Sequence, residues 1–169
     1  MTMKNINKEE LKLLYEKDFV LWVEENLKLL KDRQFDKVDW DHLLEEIEDL
    51  AGRYVDEVIT LMAKIMVNLY KYENFKKDRM DAWIRIILNS RIRLEELFDR
   101  MPSLKNKAVN ELETAWRFAV IDLVFYFKYP GNEKLIEKYF DGRRPTEKDF
   151  PEKCPYTFNQ VLEYEPWEL

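Results

Sequence analysis

Between Asp39 and Tyr72 the apolar residues return every three or four positions: Trp40, Leu44, Ile47, Ala51, Tyr54, Val58, Met62, Ile65, Leu69 and Tyr72. That spacing follows the 3.6-residue turn without slipping and predicts one long helix, roughly 50 Å from end to end. Asp39 is placed to cap its first turn, with Val38 stapling onto Leu43, and Asp41, Glu45 and Glu46 suit the positive end of the helix dipole. Leu43, Leu50 and Leu61 widen the stripe on one side, and Val55, Ile59 and Met66 on the other. A face that broad implies several helical neighbours, which makes this helix the expected centre of a bundle.

The same periodicity predicts three further main helices. The first runs from Asp18 to about Arg33 with Phe19, Trp22, Val23, Leu27 and Leu30 inward. The third runs from about Arg79 to Arg100 with Met80, Trp83, Ile87, Leu94, Leu97 and Met101 inward and Ser90 as a close-approach point. The fourth runs from Leu104 to about Lys128, after a break and recap at Pro102-Ser103. Short links between them predict antiparallel neighbours. Residues 1–14 read as a helical turn or a loose arm. Glu133–Phe140 reads as a short helix folding back to cover Phe118, Ile121 and Phe125. The stretch after Gly142 reads as an extended tail. One capped helical turn in it starts at Thr157, and its aromatic residues Phe150, Tyr156, Phe158 and Trp167 dock on the bundle. The expectation is therefore an all-α, single-domain, antiparallel bundle of four main helices around a long central one, with the tail packed on it.

Composition narrows the functional classes. The chain has 169 residues, 37% of them charged, with only 3 Gly and 6 Pro, which argues for one domain without long irregular loops. The abundance of Lys and Glu fits selection for heat stability. A net charge of −6 disfavours nonspecific nucleic-acid binding. Cys154 is the only cysteine, so no internal disulfide forms; with no recognisable signal peptide, a cytoplasmic protein is expected. The apolar run Phe118–Phe127 is interrupted by Asp122 and falls far short of the ~20 residues a membrane helix needs.

Candidate chemistry is sparse. His42 with Glu45, Glu46, Glu48 and Asp49 has the flavour of a bundle metal site, but the His precedes the Glu, and the pattern turns His42, Glu45 and Asp49 toward solvent. Glu48 borders the stripe and is expected half-buried, with Arg91 as a partner; Asp122 raises the same question. Trp83 and Lys71 join these three as binding candidates. Cys154 reads as a small buried apolar residue and Gly52 as a close packing point. No Gly-rich phosphate loop or cofactor motif is present. Arg79, Arg85, Arg91, Arg93 and Arg100 make the third helix the one nucleic-acid candidate, diluted by Asp81, Glu95, Glu96 and Asp99. Its second apolar line, Ile84, Leu88 and Ile92, predicts contact with the tail or a second subunit.

Five patches carry a family likeness: Asp18-Phe19 with Trp22; Leu44-Glu45-Glu46-Ile47-Glu48-Asp49-Leu50; Trp83 with Ile87 and Arg91; Pro102-Ser103-Leu104; and Phe150-Pro151-Glu152-Lys153-Cys154-Pro155-Tyr156-Thr157. Through them the chain, from about Tyr15 to Trp167, resembles the uncharacterised, mostly cyanobacterial family called domain of unknown function twenty-nine. The resemblance implies an all-helical fold and no known activity. The chain departs from the family in carrying Asn68 where members often have His, and in a longer Gly131–Arg144 segment. Three functions therefore stand at this stage: a non-enzymatic helical protein-interaction module that pairs with a partner or with itself; a metal protein or enzyme built on Glu48 and Asp122; and a nucleic-acid binder using the Arg-rich helix.

Overall fold

A computed structural model describes residues 7–168. It is all-α, with no strand among the described residues. The order is α1 (Lys8–Lys17), α2 (Phe19–Lys31), α3 (Trp40–Asn74), α4 (Asp81–Arg100), α5 (Ser103–Asn110), α6 (Leu112–Lys128), α7 (Glu133–Phe140) and α8 (Phe158–Glu163). Single 3₁₀ turns at Phe35–Lys37, Lys76–Asp78 and Glu147–Asp149 fill the links. The chain divides into two compact units, and the division falls inside α3, between Arg53 and Tyr54.

The first unit is a three-helix hairpin. Residues 8–17 are helical rather than a loose arm, because Asn7 and Glu10 form a reciprocal capping box, the side chain of each accepting the other's backbone N–H at 2.9 and 3.1 Å. Residues 1–6 of the expected arm lie outside the described residues. Asp18 ends α1 and caps α2, its carboxylate accepting from the Leu21 N–H at 3.1 Å. Lys12 pairs with Asp41 at 2.9 Å and the Tyr15 hydroxyl donates to Glu46 at 2.8 Å. Advancing along α1 thus advances along α3, and α2 runs the other way.

A buried polar clasp locks the hairpin. The Trp22 indole N–H donates to Asp39 Oδ2 at 3.0 Å, and His42 Nδ1 lies 2.6 Å from the same oxygen. Asn26 donates to the Trp22 carbonyl at 2.9 Å and accepts from the Asp39 N–H at 3.0 Å. Asp39 therefore serves the clasp with its side chain instead of capping first-turn amides, and its Oδ1 is buried without a donor. His42 is correspondingly half-buried and stacked on Tyr15 at 4.0 Å, not turned to solvent as its place opposite the stripe predicts.

The second unit holds the main core. Met62, Ile65, Met66 and Leu69 of α3 are sealed by Ile87, Leu94 and Leu97 of α4 and by Trp116, Ala119 and Leu123 of α6. The expected fourth helix is two: the path breaks at Glu111 (φ −94°, ψ 7°), just after Asn110, a residue type that favours local turns. The tail aromatics dock as their spacing predicts. Phe150 and Tyr156 are core residues, and Trp167 meets Tyr72 edge-on at 6.0 Å. Tyr156 and Tyr164 hydroxyls both donate to Glu73, at 2.6 and 2.9 Å. The capping box at Thr157 and Gln160 opens α8. Met80 is exposed rather than inward, because α4 begins only after it.

Candidate functional site

Of the candidate binding residues, Glu48 belongs to the first unit and Lys71, Trp83, Arg91 and Asp122 to the second. Glu48 is exposed rather than half-buried, and its expected partner Arg91 is engaged elsewhere within the second unit. The Arg91 guanidinium donates to three carbonyls of the tail: Val161 at 2.9 Å, Gln160 at 3.2 Å and Tyr164 at 2.8 Å. It ties α8 to α4 as a fork that lysine's point charge does not reproduce. Two of the other arginines are similarly engaged, while Arg85 and Arg100 are exposed. Arg93 pairs with Glu57 and Glu96, and Arg79 donates to the Tyr72 carbonyl while lying 4.1 Å over its ring.

Lys71 and Trp83 do come together. The Lys71 ammonium sits over the rings of Trp83 (4.9 Å) and Tyr126 (4.5 Å), and the residue is buried. Burial pushes its pKa down to about 8, with Asp122 pulling the other way. Asp122 stands at the edge of solvent. Partial desolvation raises its carboxyl above the usual range, against the pull of Lys64 and Lys71. One turn before Lys71, Asn68 donates to the Lys64 carbonyl at 2.7 Å and leaves its Oδ1 buried without a donor. This is an aromatic-caged lysine, but neither groove described below is lined by it. Among the described residues no three His, Cys, Asp or Glu side chains are grouped to hold a metal ion. Cys154 Sγ contacts Met66 Sδ at 3.5 Å and donates to the Tyr156 carbonyl at 3.3 Å; burial raises its pKa, which keeps it a thiol.

The notable surfaces are apolar. On α4, Ile84 is half-buried while Leu88 and Ile92 are exposed, a short line of two open side chains. On α6, Phe118, Ile121 and Phe125 stay exposed, because α7 covers Phe127 instead, through Phe140 at 4.8 Å. A groove of about 720 Å³ runs beside Phe118 and Ile121 toward Glu147 and Pro151.

The most extensive apolar face is on the hairpin, where the first half of the α3 stripe is open to solvent. Leu44, Ile47 and Leu50 are 55%, 56% and 56% exposed, Trp40 is 40% exposed, and Phe19, Val23 and Leu27 of α2 are 44%, 40% and 46% exposed. Between these two ridges lies a groove of about 320 Å³ floored by Trp22, Asn26 and Leu43. Gly52, at the far end, has nothing within 4 Å of where a Cβ would stand, so it is not a packing point. Periodicity announced this face as apolar. It gave no sign that the face stays uncovered, because the pattern is identical whether the cover is a neighbouring helix or another molecule.

No helix among the described residues is long and apolar enough to cross a membrane. Comparison with curated proteins gives no match, and comparison with solved structures gives none either. A family profile, described as domain of unknown function DUF29, matches residues 14–167 and includes every patch that carried the resemblance. Covering nearly the whole chain, that match makes this protein a member of the DUF29 family.

Proposed function

We propose that the protein is a non-enzymatic, cytoplasmic interaction module whose docking surface is the groove between α2 and the first half of α3. The observation that carries this reading is the open pair of apolar ridges, Phe19-Val23-Leu27 and Leu44-Ile47-Leu50. Contiguous apolar surface of this extent on a soluble chain marks an interaction site. Two ridges flanking a groove suit an amphipathic helix that lays its apolar stripe between them. The polar residues around it hold no set of groups suited to bond making. His42 is already oriented by Asp39 and stacked on Tyr15, and among the described residues its hydrogen-bond partner is that carboxylate.

Paired affinity capture tests the proposal. Wild-type and Ile47→Glu baits are compared, after circular dichroism shows equal helix content. A charge at the centre of the groove should remove bound partners that the wild type retains. Identical capture by both baits overturns the proposal.

A further inference from the structure

We propose that the occupant of the groove is a second copy of this chain, the two hairpins closing into a four-helix arrangement about a two-fold axis parallel to the helices. The inference rests on the reading of the groove as a docking surface and names its partner.

The hairpin's own core points to a missing half. Among its described residues only Leu11, Trp22 and Val38 are fully buried apolar side chains, with the polar clasp beside them. Most of its apolar ridge faces outward. Two helices with an open apolar face gain a conventional core by pairing with two more. A second hairpin of the same sequence supplies matching ridges at matching spacing.

The area fits. The exposed parts of the seven ridge residues from Phe19 to Leu50 amount to on the order of 500 Å² of apolar surface. A standard interface takes about 800 Å² from each partner, about 65% of it apolar in homodimers. The face is therefore the size that one stable isologous contact requires.

The rims select the arrangement. Helical spacing puts Glu45 and Glu48 on the side of α3 that faces away from α2, and Val20, Glu24, Lys28 and Lys31 on the side of α2 away from α3. An axis along the helices sets α3 of one copy antiparallel against α2 of the other. The acidic rim then meets a mixed rim, with Val20 and Glu24 nearer its level than the lysines. An axis perpendicular to the helices sets α3 against α3 and faces Glu45 and Glu48 with their own copies, which repels. The same acidic rim disfavours an anionic lipid surface, the other partner an amphipathic face suits.

Sedimentation equilibrium of the full chain decides the matter. The expected mass is twice 20.7 kDa, falling toward the protomer on dilution. Ile47→Glu should raise the dissociation constant at least tenfold with unchanged helix content. A dimer indifferent to Ile47→Glu overturns the proposal. So does a 20.7 kDa species persisting at about 100 µM. If that monomer binds the dye bis-ANS in a way Ile47→Glu abolishes, the groove still docks something else and only self-pairing falls. If wild type and variant bind dye alike, the docking surface itself falls too.

Discussion

Lys71 offers a sharp test of how the second unit is held together. Its ammonium is buried in the middle of the main core, with two aromatic faces and no hydrogen-bonded carboxylate as company. Burial lowers its pKa from 10.5 to about 8. That gap corresponds to about 3 kcal/mol of destabilisation of the folded state when the amine is charged. Attraction to the rings of Trp83 and Tyr126 returns about 0.5–2 kcal/mol. Replacing the amine by an apolar group of equal length, Lys71→Met, should therefore raise stability by about 1–3 kcal/mol at pH 7. For a chain of this size that is a melting-temperature increase of roughly 2–10 °C. The pH dependence carries the mechanism. Because the folded pKa lies below the unfolded one, the unfolded chain holds the extra proton between about pH 8 and 10.5, and wild-type stability rises through that window. The advantage of the variant is full below pH 8 and shrinks as pH climbs toward 10.5. Thermal melts of both proteins at pH 7 and 9.5, compared as differences so that tyrosine ionisation cancels, measure it. A variant that melts below wild type at pH 7 refutes the argument, since the charge would then be a net stabiliser.

Three other outcomes follow from the geometry. Arg91→Lys should lose the forked contact with the Val161, Gln160 and Tyr164 carbonyls, costing about 1–3 kcal/mol and exposing α8 to limited proteolysis before the rest of the unit. Asp39→Ala should leave the Trp22 indole N–H without its acceptor and His42 without its orienting oxygen, destabilising the hairpin by about 2–4 kcal/mol, read as faster amide exchange in α2 and early α3. Gly52→Ala meets open space in mid-helix and should stabilise by about 0.5–1 kcal/mol in chemical denaturation; a loss would show a close contact after all.

How far the sequence reaches depends on what a signal encodes. The three-and-four spacing of α2, α3 and α4 located those helices to within a few residues, and Thr157 with Gln160 located α8, because periodicity and capping are local. The Asn7–Glu10 box carried the same kind of information for α1 and went unread behind its lysines. What covers a face is not local. The stripe from Trp40 to Tyr72 is uniform, yet its second half lies in the core and much of its first half meets solvent. Arg91 is half-buried on α4, and its partners are backbone carbonyls, which every residue has and no spacing reveals. Asp39 reads as a cap because the Trp22 indole that engages its carboxylate, and Asn26 that accepts its backbone N–H, lie more than ten positions earlier.

The tail's role constrains how the chain is made. Phe150, Tyr156 and Val161 are sealed into the same core as Met66 and Trp116, and they follow α3, α4 and α6 along the chain. During translation α3, α4 and α6 must wait, with greasy surface uncovered, until the tail as far as Val161 has left the ribosome. Folding of this unit is therefore completed only after Val161 has emerged, and a nonsense codon near Pro151 would yield a nascent product that chaperones hold and proteases clear.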